Sequence, residues 1–238
     1  MNRDHSSERG NAILEFALVA SLFLVPMLAG SYSIGMALVK MLQVNQVCRD
    51  TNILVVRGID LSQSDNQSIV VKTASGLGMN VSGTNTPNTT GLGVIILSTV
   101  HRVNGADCAG QGYTSSGTNS DGTPNYPSCP NFLYYVFTQR IVIGNSAKLT
   151  SALGSPTDPL ANNGTLTPAQ YVVDSGDRAT GFPSQTVLTA PANPYSAGGL
   201  VFLPQGGTAY ISEAGFDISA INVFAINQMG VIYAINVS

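Results

Sequence analysis

A single carboxylate, Glu15, opens a segment in which no charged residue occurs from Phe16 to Val39. About 24 residues of helix at 1.5 Å each rise roughly 36 Å, enough to span a hydrocarbon core with some tilt. An ionisable group at that boundary is costly and asks for a partner. Cleavage between Gly10 and Asn11 would supply one, because Asn11 would then carry a cationic amine four residues before Glu15. Gly10 has no side chain, so a protease cleft can approach the backbone closely there. Three plainer readings compete. A cleaved secretory signal has a shorter apolar region and a small-x-small site, and Met27-Leu28-Ala29 puts a large residue at the wrong place. A core helix of that length would carry a polar face. A permanent anchor explains the length and leaves Glu15 without a role.

Other chemistry is sparse. The two histidines are His5, in the first ten residues, and His101, in a predicted strand. They make no pair to bind zinc or complete a triad. No phosphate-binding Gly-x-x-x-x-Gly-Lys, dinucleotide fingerprint or Gly-x-Ser-x-Gly occurs. Asn119-Ser120-Asp121-Gly122 lacks the closing acid of a calcium loop and reads as an Asp-Gly turn. The sequence therefore predicts no enzyme, metal or cofactor. Ten Lys and Arg against thirteen Asp and Glu give a net charge of −3, which excludes the clustered basic surface that nucleic acid requires.

Cys108 and Cys129 bracket a Gly/Ser/Thr/Asn loop with almost nothing apolar to bury. Bridging them would stabilise the fold by about 3 kcal/mol on the loop-closure model and needs an oxidising compartment. Cys48 is left over and reads as a small packing residue.

These groups need elements to position them. Ala17, Ser21, Ala29, Ser33 and Ala37 recur at multiples of four, broken at Val25, and form a small-residue stripe where another helix can pack closely. Pro26 predicts a kink or loosened turn. Beyond Lys40, the residues Val44, Val47, Cys48, Thr51, Leu54 and Val55 share a helical face, and Gly58 reads as the C-terminal cap. A short second helix is predicted from Asp65 to Ala74. Leu92–Val103 and Phe132–Gly144 read as a hairpin-like strand pair, and 147–197 as loop-dominated. Further strands are predicted at Leu200–Leu203, Ala209–Ser212, Asn222–Ile226 and Val231–Val237, joined by turns at Gln205-Gly206-Gly207 and Gln228-Met229-Gly230. The expected organisation is a leader at 1–10, a transmembrane and amphipathic helix at 11–58, and a β-rich exported domain at 59–238. That is an α+β fold, a long helix laid on a mainly antiparallel sheet.

The run Arg9-Gly10-Asn11-Ala12-Ile13-Leu14-Glu15-Phe16-Ala17-Leu18-Val19 resembles the processed N-terminus of type IV pilins. Within that group it looks most like the TadE/TadG-like pseudopilins of tight-adherence (Flp, type IVb) pilus systems. The likeness covers about the first 60 residues, with a fainter echo at Ala209-Tyr210-Ile211-Ser212-Glu213. It implies a pilin-like fold, cleavage by a prepilin peptidase, and an assembly role for Glu15. The implied partners are other pilin subunits, an assembly platform in the membrane, and membrane lipid. It also implies a leader inside the cell, with the globular part periplasmic or on the cell surface. The alternative from the residues alone is a permanently anchored single-pass binding module.

Overall fold

The computed structural model describes residues 6–79, 90–183, 201–217 and 231–238, with side chains from Ile13 onward. Helix α1, Ser6–Val56, is one unbroken helix with Pro26 inside it. It therefore begins five residues before the predicted boundary at Asn11. Among the described residues, one helix, at the N-terminal end, is long and apolar enough to cross a membrane, with none of its apolar window buried against the rest of the protein. Phe16 is 74% exposed and Leu42 70%, so this half of α1 has no protein core to enter.

The second half of α1 does. Val44, Val47, Cys48 and Thr51 are buried, as the spacing predicts, and Asn52 joins them. Positions 44, 47, 48, 51 and 52 are one helical face. The helix then stops on a full Schellman motif. Gly58, at φ 79°, donates to the Val55 carbonyl at 2.8 Å, and Ile59 donates to the Leu54 carbonyl at 3.0 Å. Leu54 and Ile59 both pack on the same core. A second helix, α2 (Ser64–Thr73), follows one residue earlier than predicted at each end and buries Gln67, Val70 and Val71.

Four strands form one antiparallel sheet: β1 (Gly93–Arg102), β2 (Tyr135–Gly144), β3 (Thr208–Asp217) and β4 (Val231–Val237), in the order β2-β1-β3-β4. Among the described residues this is an α+β fold of pilin-like architecture, with α1 laid across β3 and β4. Ile95, Leu97, Ala214, Phe216 and Ala234 face α1. Val100, Phe137 and Ile211 face the opposite side, where the irregular chain between Asn145 and Phe182 covers the sheet. Two short helices, α3 (Gly105–Gly110) and α4 (Pro168–Tyr171), lie in the connections.

Several predicted strand limits change. β2 starts at Tyr135 instead of Phe132, because a turn precedes it: Phe132 N–H bonds the Cys129 carbonyl and Leu133 sits at φ 65°. Residues 201–203 form no strand. The Leu203 carbonyl accepts the Arg102 guanidinium at 2.9 Å, and Pro204 has no N–H for a ladder. The Gln205–Gly207 turn is present, closed by Gly207 N–H on the Pro204 carbonyl at 2.9 Å, and leads into β3. β3 itself runs past Ser212 to Asp217. The predicted strand Asn222–Ile226 and turn Gln228–Gly230 lie outside the described residues.

The packing fixes which end of the sheet lies away from the apolar half of α1. The Cys48 thiol donates to the Ser212 carbonyl at 3.1 Å and contacts the Ala234 carbonyl at 3.7 Å. One turn later Asn52 donates to Asn236 Oδ1 at 2.6 Å and to Ser238 Oγ at 2.9 Å. Four helical residues and two strand residues each advance about 6–7 Å, so α1 and β4 run side by side in the same direction. The His101, Thr208 and Tyr135 end of the sheet is thus the distal one.

Candidate functional site

Two regions carry the polar chemistry. The first is the apolar half of α1. The backbone at Gly10 and Asn11 is helical. Glu15, Ala17 and Ser21 are exposed on it, and Ala29, Ser33 and Ala37 are half-buried. The hydroxyls of Ser21 and Ser33 donate to their own helix, at the Leu18 carbonyl (2.9 Å) and the Ala29 carbonyl (2.8 Å). Their polar groups are thereby satisfied, and the stripe presents small surfaces without free donors.

The second is the distal end of the domain. Cys108 and Cys129 form a disulfide there, with Cα atoms 5.9 Å apart. Both half-cystines are buried in a small core with Val103, Phe132, Val136 and Val172. The loop between them folds back as a hairpin, in which Ser116 N–H bonds the Asn125 carbonyl and Asn119 N–H bonds the Thr123 carbonyl, each at 2.8 Å. Asp121 Oδ1 accepts the Thr123 amide at 3.0 Å, and Gly122 takes φ 83°, so the Asn119–Gly122 segment is the turn its residues predict. Gln205 reaches across to Asp121 Oδ2 at 3.1 Å and fastens the tip to the approach of β3.

Beside the bridge, Asn104 and Asp107 form a reciprocal capping box at the start of α3. His101 Nε2 lies 2.9 Å from Asp107 Oδ2, and Nδ1 lies 3.2 Å from Thr208 Oγ1. Burial pushes the Asp107 carboxyl up, but its bonds from His101 and Asn104 outweigh that and hold it below its usual range. Sequence spacing could not show this contact, because His101 and Thr208 meet only through the β1–β3 register. Asp107 is occupied as a helix cap, so the His101 contact ties α3 to the distal end of β1.

The sequence marks Glu213 only as the end of the Ala209–Glu213 run, and its partners are far from it along the chain. It is fully buried on the face away from α1. Its Oε1 accepts the Ala152 amide at 2.8 Å and the Tyr233 hydroxyl at 2.9 Å, and Oε2 accepts the Ser151 hydroxyl. Burial, together with the Glu213 charge, pushes the Tyr233 phenol well up, so Tyr233 stays a donor. Arg140 is buried on the same face, and its guanidinium donates to the Gly154 carbonyl at 2.8 Å. Burial lowers the Arg140 pKa and the Glu213 charge opposes that shift. The cluster therefore pins the Ser151–Gly154 loop to the sheet.

The structure links Cys108 to Cys129, and among the described residues no contact links Glu15 to the globular part. The two regions sit at opposite ends of the molecule. No protein-family model, curated protein or solved structure significantly matches the chain.

Proposed function

We propose that this chain is a minor pilin or pseudopilin of a tight-adherence type IV pilus, cut between Gly10 and Asn11 by a prepilin peptidase. The reading makes it a structural or assembly subunit and no enzyme. It resides in the bacterial inner membrane by the apolar half of α1, with the globular part outside. The observation that carries this reading is Glu15, an exposed carboxylate at the start of the uncharged apolar run of one continuous helix whose other half is docked on a sheet. A lone anchor needs no such group. In a bundle of these helices an unpaired carboxylate would cost several kcal/mol, and the Asn11 amine of a neighbouring processed subunit would pair it and set the axial register. Gly10 also has low helix propensity, which eases opening of the helical backbone for cleavage.

Glu15→Gln keeps the shape and removes the charge. The variant should insert and be cut, and it should fail to co-purify with its partner pilins. Normal co-purification and normal piliation with Glu15→Gln would favour the permanently anchored binding module instead.

A further inference from the structure

At the distal end, between the 116–125 hairpin and the 129–134 turn, lies an open pocket of about 510 Å³. That falls within the range of small-ligand sites. Three of its walls are aromatic: Tyr126, Phe132 and Tyr134. Arg178 is the one charged side chain among the described lining residues. Its guanidinium lies 3.5 Å from the Tyr134 ring centroid. Nε donates to Asn131 Oδ1 at 2.7 Å and Nη2 to the Pro130 carbonyl at 2.8 Å, which fixes the guanidinium plane and leaves donor capacity on Nη1. The Asn125 amide lines the same space and makes no side-chain hydrogen bond among the described residues. The walls are held in place by the disulfide, by the Tyr126–Phe132 ring contact at 5.6 Å, and by the turn at Leu133, which holds a left-handed conformation that is costly for a non-glycine residue.

The geometry points to a carboxylate-bearing saccharide as the ligand. Aromatic faces take the C–H face of a sugar ring, a free amide takes its hydroxyls, and a fixed guanidinium takes a carboxylate. A wholly apolar ligand would strip water from Arg178 and give nothing back. A polyanion such as nucleic acid would meet one cation where it needs many. This inference does not rest on the pilin reading, since the pocket is built from the distal loops alone.

The test is binding of 3′-sialyllactose and digalacturonic acid to the full-length protein in detergent micelles, with lactose and N,N′-diacetylchitobiose as neutral counterparts. At least one acidic saccharide should bind with a Kd below about 1 mM, and at least about tenfold more tightly than the neutral ones. Arg178→Gln should abolish that preference. Because Arg178 also braces Asn131, Asn125→Ala serves as the second variant: it should weaken binding about fivefold with an unchanged melting temperature. The proposal is overturned if neither acidic saccharide binds below about 1 mM, if neutral and acidic saccharides bind alike, or if Arg178→Gln keeps the acidic preference.

Discussion

Glu213→Ala is expected to destabilise the protein by about 3–5 kcal/mol, the loss that accompanies removal of one partner from a buried charged network. Three donors lose their acceptor at once: the Ser151 hydroxyl, the Ala152 amide and the Tyr233 hydroxyl. Arg140, buried across β1 on the same face, also loses the negative charge that offsets its desolvation. Glu213→Gln separates the two contributions. It retains an oxygen for Ala152 and Tyr233, and the Ser151 hydroxyl can rotate to accept from the new amide, so a loss of about 1–2 kcal/mol is expected. Urea unfolding of the full chain in detergent, followed by near-ultraviolet circular dichroism, measures both. An alanine variant within about 1 kcal/mol of wild type would show that the cluster does not hold the loop to the sheet.

Removal of the disulfide is the other large effect. Cys108 and Cys129 are 21 residues apart, and opening a loop of that size costs about 3 kcal/mol on the chain-entropy model. The double variant Cys108→Ala/Cys129→Ala should lower the urea midpoint by about 1–1.5 M for a typical slope. It should also loosen the 116–125 hairpin first, since Gln205 is the main further tie on its tip. Wild-type protein treated with reductant should behave like the variant. An unchanged midpoint in both would mean that the surrounding core of Val103, Phe132, Val136 and Val172 suffices alone.

What the sequence made legible follows from periodicity and local chemistry. The apolar half of α1, the buried face at 44, 47, 48 and 51, the cap at Gly58 and the β1–β2 pair are all written in residues that neighbour one another along the chain. So is the bridge, because its two cysteines flank a loop that can bury little else. The extension of β3 through Glu213, Ala214 and Gly215 was not legible. Those residue types have low strand propensity, and they are tolerated because Glu213 is fully bonded and because an added side chain at Gly215 would strike Leu149 at 2.9 Å. The His101–Asp107–Thr208 contact and the Arg178–Tyr134 stack escape sequence reading for the same reason. His101 and Thr208, like Arg178 and Tyr134, lie tens of positions apart, and no local pattern encodes that register. Asn52 reads as a polar helix residue until Asn236 and Ser238 are placed beside it.

If the chain is cut as proposed, the mature helix begins at Asn11. N-terminal sequencing of the protein extracted from membranes tests it most directly. A processed pilin-like subunit should begin at Asn11, with Gly10 and the nine residues before it gone. An N-terminus still at Met1 would contradict the account and leave a permanent anchor, and a cut inside the apolar half of α1 would contradict it as well, by removing Glu15 from the mature protein.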